Sequence, residues 1–378
     1  MAADRIVLVL GMHRSGTSAL TRVLNLRGAA LPADLLPPNH ANVAGYWEPA
    51  SVVTWHDEFL TAVGSAWDDP TELPASAFET PAAEHFVDRV ADLLCGELGA
   101  APLVVMKDPR ACRLVPLWRR AIGRAGREPL IALIVRHPLE VAASLQRRDG
   151  LPVSQSLLLW LEHVLAAEAF TRSDRRSIVA YDRLLDDWRG TVARIEHDLG
   201  LVPPATADVD AQVEAFLAND LRHERAERAA LDDEAISDWV RRVYRWHERG
   251  SRNAALADPA ELDAVRGEVH RAAALYGPVI RAQREMAARQ QAELHERIER
   301  EQQQWMAERD AFASRERALQ TDVAALGERL TAIEARLAAQ EQTRASLQAL
   351  LDRMVSTRTW RVRAWLLRQW ARAAGRAR

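Results

Sequence analysis

The chain has 378 residues, 48% hydrophobic and 27% charged, with a formal net charge of -3. That length allows one large or two modest domains with a real core, and the near-balanced charge excludes a general nucleic-acid binder. No apolar run approaches the ~20 residues of a membrane span, and the two cysteines, Cys95 and Cys112, lack metal-ligand spacing and read as ordinary buried thiols of a reduced, cytoplasmic protein.

Ile6–Leu10 is an apolar run too short for a signal-peptide core, so it reads as a buried strand. It leads straight into Gly11-Met12-His13-Arg14-Ser15-Gly16-Thr17-Ser18, and a helix is predicted over Ala19–Leu26. Residues 31–81 are rich in proline and tryptophan (Pro37, Pro38, Trp47, Trp55, Trp67) and too irregular for one clean element, which predicts a substrate-facing lid or loop insertion. Further strands are predicted at Leu103–Met106, Leu130–Val135 and Ser177–Tyr181. The first two of these end in polar clusters, Lys107-Asp108-Pro109-Arg110 and Arg136-His137-Pro138. In an open parallel sheet the ligand crevice lies beyond the carboxyl ends of the strands, so the three polar clusters converge on one site. Helices are predicted over Ser154–Arg172 and Leu184–Leu199. Pro203-Pro204 closes the sheet region, and residues 211–276 read as mostly helical, packing back on it. The fold class is α/β: a P-loop-type parallel sheet with flanking helices, followed by a long C-terminal coiled-coil helix.

After Pro278 helix formers dominate. Ile298, Trp305, Phe312, Leu319, Leu326, Ile333, Leu347 and Met354 share one seven-residue register, and from Val323 a second seam joins through Leu330, Leu337 and Leu351. Apolar residues at both a and d predict self-association, a homo-oligomer through the coiled coil. The tail, residues 356–378, mixes Trp360, Trp365 and Trp370 with arginines, suiting either peripheral membrane contact or a dock onto the coiled coil. The predicted organisation is a core over 1–205, a helical extension over 206–280, a coiled coil over 281–355 and the basic tail over 356–378.

The glycine loop can present N–H groups and a helix N-terminus to an anion. It departs from Gly-x4-Gly-Lys-Ser/Thr because Thr17 holds the lysine position, which weakens a kinase or NTPase reading. Lys107 is the one lysine in the chain. Its compact ammonium can approach a single oxygen where a planar guanidinium does not fit.

Arg14 through Ser18, after an apolar strand, resembles the 5′-phosphosulfate loop of the sulfotransferases that use 3′-phosphoadenosine 5′-phosphosulfate (PAPS). Arg136 and Ser144, eight residues apart across a strand-to-helix junction, resemble the segment that holds the 3′-phosphate in that family. Arginine offers a bidentate fork there and serine a hydroxyl donor. Ile178 through Leu185 is similar to the family's strand-then-Tyr-Glu-Asp-Leu element, but Asp182 and Arg183 depart from it, so Tyr181 alone is carried over, bordering the adenine. The resemblance covers roughly residues 5–205, is closest to the bacterial glycan-type branch, and leaves Ala19 where the cytosolic enzymes often have tryptophan.

What the resemblance implies is transfer of a sulfuryl group from PAPS to a hydroxyl of a saccharide or lipid-linked glycan, with no metal. Arg14, Ser15, Gly16, Thr17, Ser18, Arg136, Ser144 and Tyr181 would hold the co-substrate. Arg14 and the loop amides would meet the leaving phosphate, and Lys107, with Arg110, the sulfuryl oxygens. Many members use a histidine two residues after a strand-end lysine, where this chain has Pro109. Glu48, in Gly45-Tyr46-Trp47-Glu48-Pro49, is therefore the first choice of general base, with His56 and Asp108 as alternatives. His13 reads as structural within the loop, and Arg222-His223 as a solvated helix face.

Overall fold

The structure is a computed structural model and describes residues 4–38, 45–202, 207–218, 228–234 and 236–374. Pro203-Pro204, Arg222-His223 and residues 375–378 of the tail lie outside the described residues. The chain divides into two compact units, Met1–Arg284 and Glu285–Arg378.

The first unit is built on a four-stranded parallel sheet in the order β2-β1-β3-β4. Its strands are β1 (Arg5–Leu10), β2 (Leu103–Lys107), β3 (Glu128–Val135) and β4 (Arg175–Ala180). Each predicted strand is present, extended by a residue or two. Their apolar runs are continuous because both sheet faces are covered, as parallel sheets require. Ile6, Leu8 and Leu10 point into one core layer, with Met106, Leu133 and Ile178. Val7 and Val9 point into the other, with Ala132, Ile134 and Val179.

The layer around Val7 and Val9 is closed by α1 (Thr17–Leu26), α7 (Tyr181–Asp186), α8 (Trp188–Leu199) and α9 (Ala207–Leu217). The opposite layer is closed by α2 (Ala50–Ala62), α3 (Pro81–Cys95), α4 (Ala111–Arg124), α5 (Pro138–Asp149), α6 (Val153–Phe170) and α10 (Asp238–Arg252). Leu262, Val265 and Val269, from the start of α11 (Pro259–Ser356), bury in this same layer. The chain passes from β1 outward to β2, then back across β1 to β3, so its direction reverses between β1 and β3. The switch point of the sheet therefore lies between the glycine loop and the Arg136 segment.

Several expectations need correction. Residues 31–81 hold a regular helix, α2, and a 3₁₀ turn at Ala75–Glu79. The segment expected as one helix over 184–199 is two, because Asp187 leaves helical geometry at φ -142° and caps α8 by accepting from Gly190 N at 3.0 Å. Tyr181 opens α7 instead of ending β4. The long helix begins at Pro259, and Pro278 lies inside it. Proline suits the first helical turn, and Asp258 caps that start by accepting from Ala260 N at 3.0 Å. Cys95 is exposed at the end of α3; only Cys112 is buried.

Candidate active site

The glycine loop joins β1 to α1 with two residues in left-handed geometry, Arg14 (φ 68°) and Gly16 (φ 87°). For arginine this is strained backbone, of the kind that persists where surrounding structure over-determines it. Gly16 is required twice over: its φ disfavours a side chain, and a Cβ there would overlap the Tyr181 ring. Gly11 is similarly confined, since a Cβ would overlap the carbonyl of Ile134 in β3. Gly11 N donates to Cys112 Sγ at 3.1 Å, and burial pushes that thiol up to about 12, so it stays a neutral strut beneath the loop. No spacing rule signals this role for Cys112, because the pair is 101 residues apart.

The Arg136 segment reaches the same place. Arg14 Nε donates to Ser144 Oγ at 2.8 Å, and Arg136 Nη1 donates to the Arg14 carbonyl at 3.2 Å. The Arg136 guanidinium lies 5.1 Å from the Tyr181 ring centroid. Its Nε donates to Glu140 Oε2 at 2.8 Å, an ion pair one helical turn apart and buried on both sides. Glu140 was not among the sequence candidates, although its i,i+4 spacing from a strand-end arginine is the readable signal. Burial, and then the charges of Arg148 and Arg136, lower the pKa of Arg14 below its ordinary value. Like charges gathered in a partly buried crevice attract an anion.

Ser15 is fully buried, and its Oγ has no hydrogen-bond partner among the described residues. The start of α1 carries no side-chain cap. A glycine cradle, an orphaned hydroxyl, an uncapped helix N-terminus and clustered arginines together fit a phosphate-bearing ligand.

Lys107, at the end of β2, donates from Nζ to Ser18 Oγ at 3.2 Å, to the Tyr46 carbonyl at 3.2 Å and to Glu48 Oε1. Three acceptors use all three ammonium hydrogens, a convergence on one nitrogen that a planar guanidinium does not match. Glu48 is held by backbone pairing: Leu36 N donates to its carbonyl at 2.8 Å, and Ala50 N donates to the Asp34 carbonyl at 2.8 Å. Burial raises the Glu48 carboxyl above the usual carboxylate range, and the Lys107 ammonium opposes that rise. Glu48, Lys107, Ser18 and the glycine loop thus form one continuous group.

His56 and Asp108 are placed differently. Trp118 Nε1–H can only donate, so His56 Nε2 accepts from it at 2.9 Å, and His56 Nδ1–H donates to Asp108 Oδ2 at 2.9 Å. Both imidazole nitrogens are engaged, and both residues are fully buried. Burial opposes ionisation of Asp108, but Arg110 and His56 hold its carboxyl well below the usual range. Arg110 directs its fork to Asp57, at 2.6 and 3.0 Å, and Nη1 to Asp108 at 3.2 Å. These geometries remove His56 and Asp108 as ready proton acceptors and tie Arg110 into a carboxylate network.

His13 is buried between Trp67 (ring centroids 4.9 Å apart) and His163 (6.2 Å), and burial, followed by nearby Arg148, holds it neutral. On α6, Ser156, Trp160 and His163 fall on one face at i, i+4 and i+7. Ser156 Oγ, Trp160 Nε1 and His163 Nε2 are buried without hydrogen-bond partners among the described residues. His163 Nδ1–H donates to the Leu159 carbonyl at 2.8 Å, which leaves Nε2 as the bare acceptor. The tryptophans of residues 31–81 each carry a guanidinium over the ring: Arg22 on Trp47 at 4.5 Å, Arg89 on Trp55 at 4.7 Å and Arg148 on Trp67 at 5.5 Å.

No family model matches the chain, and no curated protein matches it. Among solved structures it is similar to the sulfotransferase domain from the Synechococcus PCC 7002 olefin synthase, at 17% identity over 63% of this chain and 88% of that one, with a TM-score of 0.37. It is also similar to the sulfotransferase domain from the curacin biosynthetic pathway, at 16% identity over 70% of this chain and 97% of that one, with a TM-score of 0.35. Likenesses this distant say nothing about the chemistry of this chain.

Proposed function

We propose that the chain is a PAPS-dependent sulfotransferase acting on a hydroxyl of a saccharide or lipid-linked glycan. The observation that carries this reading is the 2.8 Å bond from Arg14 to Ser144, which puts the glycine loop and the Arg136 segment in a single crevice at the sheet's switch point. A nucleotide phosphorylated at both the 3′ and 5′ positions needs two anion grips within one adenosine's reach. Arg14 through Ser18 is one grip and the Arg136/Ser144 pair the other, with Tyr181 between them as the wall for the base. Binding exchanges the Arg14–Ser144 bond for bonds to phosphate, which also relieves the mutual repulsion of the arginines.

When bound, PAPS supplies a sulfuryl group on a phosphate leaving group. The residues of this chain position and neutralise. Glu48 accepts the proton of the acceptor hydroxyl, its raised pKa bringing it closer to neutral pH. Lys107 orients that carboxylate and offers positive charge where sulfuryl oxygens gather. Arg14 and the start of α1 stabilise the negative charge left on phosphate. A kinase reading is less well supported: Thr17 stands where the phosphate-loop lysine would be, and Asp108 is committed to His56 and Arg110.

On the same reading, two or more copies pair along α11. Leu319, Val323, Leu326, Leu330, Ile333 and Leu337 are all exposed there at a and d spacing, which favours burial against a second copy.

The deciding experiment is thermal shift with adenosine 3′,5′-bisphosphate, ATP and ADP, followed by labelled-sulfate transfer to glycans, lipids and small phenols. Selective stabilisation by the bisphosphate and transfer to a glycan are expected. Preference for ATP with magnesium, or transfer to phenols alone, would overturn the assignment.

A further inference from the structure

The seven-residue seam of α11 does not continue into α12 (Arg358–Ala374). Carried forward from Leu351 and Met354, its next positions are Arg358, Arg361, Trp365, Arg368 and Arg372. Pairing α12 with a second copy along this register would press arginines together, so whatever covers the coiled-coil seam does not cover this helix. α12 has a different stripe of its own. At 100° per residue, Val362, Leu366 and Trp370 stack on one side, flanked by Trp360, Leu367 and Ala371. Arg358, Arg361, Arg368 and Arg372 fall opposite, together with Trp365. Arg363 projects within the apolar arc, and its guanidinium lies 5.6 Å from the Trp360 ring centroid.

The apolar side chains are exposed: Trp360 at 40%, Leu366 at 54%, Leu367 at 56% and Trp370 at 73%. Residues 358–374 contain arginines and no aspartate or glutamate. No helix among the described residues is long and apolar enough to cross a membrane. We infer that α12 lies on an anionic lipid surface, with Trp360, Leu366 and Trp370 in the headgroup boundary and the opposite arginines reaching anionic headgroups. Charge complementarity selects this partner. An apolar groove of another protein would satisfy the tryptophans but leave unbalanced positive charge, whereas an anionic bilayer meets both faces at once. Tryptophan favours such boundaries because its ring is apolar and its N–H wet. The inference stands apart from the nucleotide reading, since its test contains no nucleotide.

The test is co-sedimentation of the full chain with vesicles of phosphatidylcholine alone or mixed with phosphatidylglycerol, at low and raised salt. Binding is expected to the mixed vesicles and to weaken with salt. Each arginine replaced in R358Q/R361Q/R368Q/R372Q should lower partitioning about fivefold. W360S/W370S should lower it on mixed vesicles while keeping the salt dependence. All of these positions are exposed, so the variants should fold as the parent does. Equal partitioning onto both vesicle types, none onto either, or no change in the four-arginine variant overturns the inference. So does a chain ending at Thr357 that keeps its vesicle binding and instead changes its self-association in sedimentation velocity.

Discussion

The Nε of Arg14 donates to the hydroxyl of Ser144 across 2.8 Å, although 130 residues of chain separate them. The bond links the loop after β1 to the helix after β3, so both halves of the crevice share one electrostatic fate. Arg14 is held there in left-handed backbone geometry and among like charges.

Ser144→Ala should therefore weaken adenosine 3′,5′-bisphosphate binding about tenfold, the worth of one charge-assisted hydrogen bond of ~1.5 kcal/mol. Adenosine 5′-monophosphate, which lacks the 3′ group, should lose no affinity. Calorimetric titration of both ligands decides it, and equal losses for the two would remove Ser144 from the 3′ grip.

Lys107 makes a second, sharper case. Lys107→Arg keeps the charge but not the three-way convergence on Ser18, Tyr46 and Glu48, and turnover should fall ~10²–10³-fold. Lys107→Ala removes the charge that holds the Glu48 carboxyl down against burial. The acid limb of the kcat/KM profile should then move to higher pH, because more of Glu48 stays protonated at a given pH. A limb that stays in place would mean that Glu48 is not the base.

Gly16→Ala tests the loop against the adenine wall. The new methyl would meet the Tyr181 ring on a left-handed residue. Tyr181→Ala in the same chain should remove the overlap but leave the backbone penalty, ~1–2 kcal/mol. Chemical denaturation of the single and double variants should show this partial rescue, and fully additive losses would argue against direct contact.

Much of this was legible in the sequence, and for identifiable reasons. Ile6–Leu10 and Leu130–Val135 are buried on both faces, so their apolar runs are unbroken and hard to misread. Arg136 and Lys107 announce themselves by standing at strand ends, and Arg14 by its place in the glycine loop. Features set by packing across distant segments were not legible. Cys112 beneath Gly11 and the His56–Asp108 pair depend on which helix faces which loop. The break at Asp187 turns on a single side-chain cap, and α2 is masked by the prolines and tryptophans around it.

Glu162 is a group the sequence singled out in no way, and it governs a prediction about pH. It is buried on α6, 3.9 Å from Arg113 Nε. Arg113 is itself engaged with the carbonyls of Ala66, at 2.9 Å, and Thr71, at 2.8 Å. Burial raises the Glu162 carboxyl from its ordinary 4.5 to about 7, with Arg113 opposing. The folded chain thus binds this proton more tightly than the unfolded chain does. The resulting stability is fully present below pH 4.5 and is lost as pH rises through about 7. The gap corresponds to roughly 3 kcal/mol. Glu162→Gln keeps the shape and stays neutral, so it should match the parent in acid and exceed it above neutrality by roughly that amount. Melting temperatures of both proteins across this range provide the measurement. If the two curves run parallel, the carboxyl is already ionised against Arg113, and the buried pair contributes no pH dependence.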